Sequence, residues 1–227
     1  MTTTLLDYIE INPDKKPLAT VIWLHGLGAD GHDFEPIVPA LHLPDTFPIR
    51  YVFPHAPERP VTINAGMVMR AWYDIIDISG AGKINHDDFF ESMDNLEALI
   101  QHEMDDGMPS DRILLAGFSQ GGGIVLYAGL RYIKPLAGIL ALSTQLSAID
   151  TLSEEMSPAN REIPMMMAHG TMDPVIPIGN AIRTREALKR LGYHTRWHEY
   201  PMMHEVCAEE IRDIRSWLLN VFEKHRQ

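Results

Sequence analysis

An α/β fold with a mostly parallel central sheet and helices on both faces is the fold class that this sequence predicts. Three observations point to it. Short β-like runs recur along the chain and alternate with segments of helical periodicity. A serine flanked by small residues, Gly117-Phe-Ser119-Gln-Gly121, stands between an apolar run and a helix-like segment, where a strand turns into a helix. No repeat, low-complexity tract or long polar linker divides the 227 residues, so one domain over residues 1–227 is expected.

Taken in order, the expected strands are Thr20 to Leu24, Ile49 to Phe53, Ile113 to Ala116, Gly138 to Leu142, Pro164 to Ala168 and Thr195 to Tyr200. Phe89, Met93, Leu96, Ile100 and Met104 recur at three- and four-residue steps, as do Ile211, Ile214, Leu218, Val221 and Phe222. Each series defines an amphipathic helix with one buried stripe. Ile124 to Leu130 is helix-like, and Asn180 to Leu191 is a further helix whose end Gly192 marks. Pro54 to Gly82 is the least regular stretch and carries Met67, Met69, Trp72 and Tyr73. An apolar, aromatic-bearing connection of that length either lines a pocket or anchors itself to the core. Trp72 is taken as a substrate contact on the first reading.

Composition narrows the function classes. The net charge of −12, with 19 basic residues interleaved among 31 acidic ones, argues against a nucleic-acid surface, which needs clustered lysine and arginine. One cysteine, Cys207, permits no internal disulfide and fits a reducing compartment, with the cytoplasm as default. Met1 to Glu10 shows no basic cluster followed by an apolar stretch, so no secretory signal is expected. Apolar runs such as Pro135 to Leu142 fall far short of the roughly 20 residues that membrane insertion requires.

A serine hydroxyl is a weak nucleophile near neutral pH and needs a base within hydrogen-bond reach, oriented by a third group. After a strand-turn-helix elbow the partners come in the order serine, acid, histidine. Asp173 follows one expected strand and His204 follows the next, so both stand on loops at the sheet edge that presents Ser119. Among eleven histidines, His25 and His169 precede glycines at strand ends and brace loops. His198 is inside a strand, and His102, His194 and His225 read as solvated surface. Asp150 competes for the acid role but has no tight turn around it.

The oxyanion of acyl transfer needs preorganised donors. Gln120, the residue after the serine, supplies one backbone N–H, and the loop His25-Gly26-Leu27-Gly28 after the first expected strand supplies the other, from Leu27 or its neighbour Gly28. Gly26, Gly28 and Gly31 also match a dinucleotide-binding spacing, but the next strand ends Val52-Phe53-Pro54 with no acid for a ribose. Asp77 to Phe89 partly matches a calcium loop, yet Ala81 takes a position that should offer an oxygen, and a helix capped by Asn85 explains the stretch more simply. No cluster of histidine and cysteine has zinc spacing, so no metal is expected.

Leu24-His-Gly-Leu-Gly-Ala-Asp-Gly31, Phe53-Pro-His-Ala-Pro57, Trp72-Tyr-Asp74, Gly117-Phe-Ser-Gln-Gly-Gly122 and His169-Gly170 with Asp173 together resemble the carboxylesterase and acyl-protein thioesterase family. The resemblance runs from about Val21 to Glu210. It implies an α/β-hydrolase without a large cap that acts on a small-molecule ester or thioester without cofactor. Ser119 would be the nucleophile, Asp173 the orienting acid, His204 the base, and the amides of Leu27 and Gln120 the oxyanion hole. Short-to-medium acyl esters are the expected substrates, with long-chain thioesters or lysophospholipids as the alternative. The family usually has glycine before the histidine and serine after it, where Met203 and Glu205 stand, and commonly glycine where Thr144 stands. Met203 is expected to touch substrate and narrow the pocket, and Glu205 to perturb His204 if it lies near the ring. A homodimer agrees with the base rate for symmetric association, but no stretch identifies an interface.

Overall fold

The computed structural model describes residues 5–77, 83–146 and 151–225. Its elements run β1 (Tyr8–Ile11), β2 (Ala19–Leu24), α1 (Ile37–Ala40), β3 (Ile49–Pro54), β4 (Glu58–Val61), β5 (Met67–Arg70), β6 (Ile75–Asp77), β7 (Lys83–Ile84) and α2 (His86–Asp105). They continue with β8 (Ile113–Phe118), α3 (Gln120–Arg131), β9 (Gly138–Leu142), α4 (Leu152–Glu155), β10 (Met165–Gly170), α5 (Ile178–Arg190), β11 (Thr195–Tyr200) and α6 (Ala208–Phe222). Seven strands form one sheet in the order β1-β3-β2-β8-β9-β10-β11. Only β1 is antiparallel to its neighbour; the other pairings are parallel. All six expected strands are present, and β1 is an addition at the edge.

Two apolar layers sandwich this sheet, and the pleat assigns residues to them. On β2, Ile22 and Leu24 face a layer with Leu96, Leu99 and Ile100 of α2 and Ile124 to Leu130 of α3. Val21 and Trp23 face the other way, towards Ile214, Trp217, Leu218 and Phe222 of α6. Each large apolar side chain buried this completely contributes roughly 1.5–3 kcal/mol. Met165, Met166 and Met167 alternate between the two layers and are all buried, so that methionine run is core. Asn85 caps α2 as expected, its side chain accepting from the amides of Asp87 and Asp88. Among the described residues no helix is long and apolar enough to cross a membrane.

Because the strands from β3 to β11 in the sheet order are parallel, their C-terminal ends share one edge. The turns after β2, β8, β10 and β11 all open there, which brings Leu27, Ser119, Asp173 and His204 to one rim.

Candidate active site

Ser119 sits between β8 and α3 with φ 54° and ψ −118°, a conformation that L residues rarely adopt. Its neighbours are small because backbone crowds them. A Cβ on Gly117 would stand 2.5 Å from Gly121, and one on Gly121 would stand 2.6 Å from the His25 carbonyl oxygen. The Ser119 amide donates to Leu142 O at 2.9 Å, and Thr144 Oγ1 donates to Ser119 O at 2.6 Å. Thr144, where the related family commonly has glycine, thus braces the elbow.

The three side chains expected on one rim meet there. His204 Nε2 lies 2.9 Å from Ser119 Oγ, and His204 Nδ1 lies 2.7 Å from Asp173 Oδ2. Asp173 has a fully buried side chain, and its Oδ1 accepts from the amides of Val175 at 2.8 Å and Ile176 at 2.9 Å. A carboxylate so held accepts the Nδ1 proton of His204, which leaves Nε2 free to accept from the serine hydroxyl. Phe118 packs against the His204 ring at 4.7 Å between centroids. Two backbone bonds lace the acid loop to the base loop: Thr171 N to Tyr200 O at 2.8 Å and Met172 N to Met202 O at 3.1 Å. A Cβ on Gly170 would lie 2.2 Å from Met203 O, so only glycine permits that approach.

His25 and His169 brace loops, as expected. His169 Nε2 donates to Ile176 O at 2.8 Å, and burial lowers the pKa of this ring. His198 pairs with Asp213 away from the serine. His225 departs from expectation: it is buried beyond the end of α6 rather than solvated. Asp150 and residues 78–82, the centre of the calcium-like spacing, lie outside the described residues.

On the expected oxyanion side, the Gly28 amide donates to Arg70 O at 2.9 Å, which commits it elsewhere and leaves Leu27 as the candidate to stand beside Gln120 at the start of α3. Trp72 does not occupy the place expected of a substrate contact. It is fully buried, and its Nε1 donates to His25 O at 2.9 Å. Met203 stands on the rim, 54% exposed. Glu205 is exposed and its carboxylate turns to the Met203 amide at 3.4 Å. The sequence reading missed the Gln120 side chain, which accepts from Trp72 N at 2.7 Å and donates to Tyr73 O at 2.7 Å. An amide side chain directly after Ser119, among glycines and apolar residues, is the signal that the sequence offers, since such a group must find partners once buried.

The family model described as Phospholipase/Carboxylesterase matches residues 7–221. The chain belongs to this family. It is 36% identical over 238 residues to acyl-protein thioesterase 1 of Cryptococcus neoformans, covering 97% of this chain and 99% of that protein. To acyl-protein thioesterase 1 of Neurospora crassa it is 40% identical over 210 residues, covering 88% of this chain and 85% of that one. Among solved structures, Zea mays acyl-protein thioesterase 2 superposes with a TM-score of 0.84 at 26% identity, over 95% of this chain and 99% of that one. As a phospholipase/carboxylesterase family member with this sheet, the protein has the α/β-hydrolase fold, and the family is one of hydrolases acting on esters and thioesters.

Proposed function

We propose that this hydrolase cleaves long-chain acyl thioesters, such as those of S-acylated cysteines on proteins, through an acyl-enzyme on Ser119. The observation that carries the reading is the unbroken chain Ser119 Oγ, His204 Nε2, His204 Nδ1, Asp173 Oδ2 at 2.9 and 2.7 Å. As Ser119 Oγ attacks the acyl carbon, His204 takes its proton and Asp173 stabilises the imidazolium. The amides of Leu27 and Gln120 receive the developing oxyanion. Collapse expels the thiolate, which leaves protonated by His204. Water, deprotonated in turn by His204, then releases the fatty acid and restores the serine.

Two observations favour long acyl thioesters over the small esters first expected. The relatives at 36% and 40% identity are named acyl-protein thioesterases. Exposed apolar side chains also crowd the rim: Met172 and Met203 beside the acid and the base, and Met67 and Val68 on the hairpin next to the oxyanion loop. Side chains of this kind would give a long acyl chain apolar contacts. The test is a series of acetyl, octanoyl and palmitoyl thioesters on one cysteine peptide, with Ser119→Ala as control. Turnover should be greatest for the longer chains and fall at least about 10⁴-fold in the variant. An optimum at acetyl would return the reading to a small-ester carboxylesterase.

A further inference from the structure

The two oxyanion donors belong to loops 93 positions apart in the chain, and parallel pairing of β2 with β8 sets only the ends from which those loops start. Beyond those ends, one line of buried side chains joins them. Trp72 is its centre: its backbone N–H donates to Gln120 Oε1 at 2.7 Å and its indole N–H to His25 O at 2.9 Å. Trp72 O in turn accepts from Ser92 Oγ, so the residue is held from three sides.

His25 carries the line forward. Its Nε2 lies 3.1 Å from Ala56 N, whose N–H can only donate, so Nε2 is the acceptor and the ring proton resides on Nδ1. That proton points at Gly26 O, 2.7 Å away, a group that can only accept. Ala29 N reaches the same oxygen at a longer 3.3 Å. The carbonyl of Gly26 and the N–H of Leu27 are two ends of one planar trans peptide and point in opposite directions. Holding Gly26 O against a buried imidazole therefore turns the Leu27 N–H outward to the site. We infer that the oxyanion hole is set from behind by this relay, Gly26–His25–Trp72–Gln120. In it His25 and Trp72 are positioning residues that aim the Leu27 donor and fix its spacing from the Gln120 donor. The inference rests on the hydrolase reading above. Burial lowers the His25 pKa to about 4, which keeps the ring neutral and the Nδ1–H tautomer in place over the neutral range.

A paired substitution separates aiming from mere filling of space. The amide NH2 of asparagine overlies Nδ1 of histidine, whereas glutamine reaches the Nε2 position. His25→Gln should therefore keep the contact with Ala56 and lose the one with Gly26, and His25→Asn the reverse. With an octanoyl thioester, H25Q should lower kcat by about 30-fold with KM changed by less than about threefold, and H25N should recover most of the loss. An alkyl trifluoromethyl ketone, whose serine adduct carries the oxyanion, should weaken in H25Q by the same factor as kcat/KM. Trp72→Phe, which removes the indole N–H bond together with part of the buried ring, should lower kcat by about 10-fold. Imidazole 15N spectra of the wild-type protein provide a readout that needs no variant to fold, and they should show His25 as the neutral Nδ1–H tautomer at pH 6 to 8. An Nε2–H tautomer, equal kcat in H25Q and H25N, or unchanged inhibitor affinity overturns the relay. Turnover that survives Ser119→Ala overturns the underlying reading. Turnover that dies in that variant yet is untouched in H25Q and W72F overturns the relay alone.

Discussion

On the side of Ser119 that carries Asp173 and His204, position is set by backbone. Neighbouring parallel strands β10 and β11 end together, two backbone bonds lace their loops, and Gly170 lets the loops touch. On the oxyanion side, position is set by side chains, because Gln120, Trp72 and His25 bridge loops that come from distant parts of the chain. The difference has a physical root. Adjacent strands share a ladder that fixes their ends, whereas an insertion such as the one bearing Trp72 must bring its own polar groups to partners in the core. Substitutions on the first side should therefore act through backbone clashes, and those on the second through lost hydrogen bonds.

The sharpest way to break the comparison is Gly170→Ala. Its Cβ would lie 2.2 Å from Met203 O and 2.4 Å from Met202 O, both backbone atoms, so the His204 loop must move. A displacement near 1 Å at a reacting group costs on the order of 10²-fold in rate, and kcat should fall by about that much while Ser119 and His204 are chemically intact. Steady-state kinetics with an octanoyl thioester checks this, and a fall below about threefold would show the loops to be compliant. A smaller effect is expected on the elbow itself. Thr144→Val removes the 2.6 Å bond to Ser119 O while keeping the bulk, and should cost about 1 kcal/mol of stability by denaturant unfolding.

The narrowest effect, confined to alkaline pH, lies beneath the base loop, where α6 begins. Glu210 is fully buried, with no hydrogen bond of good geometry to either carboxylate oxygen and only the Cys207 backbone close by. Burial pushes its pKa from 4.5 up to about 8. A folded-state value above the unfolded one means that the folded protein binds the extra proton. The stabilisation is full below pH 4.5 and is lost as pH rises through about 8. Glu210→Gln needs no proton, so its Tm should exceed that of the wild type by about 5 °C at pH 9 and by little at pH 5. His25 acts with opposite sign: its value is depressed from 6.5 to about 4, so its stabilisation is complete above pH 6.5 and is lost on acidification through about 4.

What the sequence disclosed follows the same division. The six parallel strands, the elbow and the order of Ser119, Asp173 and His204 were legible because short β-like runs and glycine spacing are local signals. Strand β1 was not, since its four residues are mostly half-buried and carry no apolar run. The short pairs β4–β5 and β6–β7 were hidden within the irregular stretch around Trp72. Sequence also showed an aromatic residue in a loop without showing which way it turned, and Trp72 turned inward. Gln120 was read for its amide alone because the bond partners of its side chain lie 47 and 48 positions away. The bracing role of Thr144 depends on β9 ending beside the elbow, a packing fact no local pattern carries.

Rapid-quench mass spectrometry of the enzyme mixed with a palmitoyl thioester tests the central claim most directly. An acyl adduct should appear on the peptide containing Ser119 within the first turnover, then decay as fatty acid is released, and it should be absent from Ser119→Ala. Release of fatty acid with no adduct on that peptide, or at undiminished rate in the variant, would contradict the account.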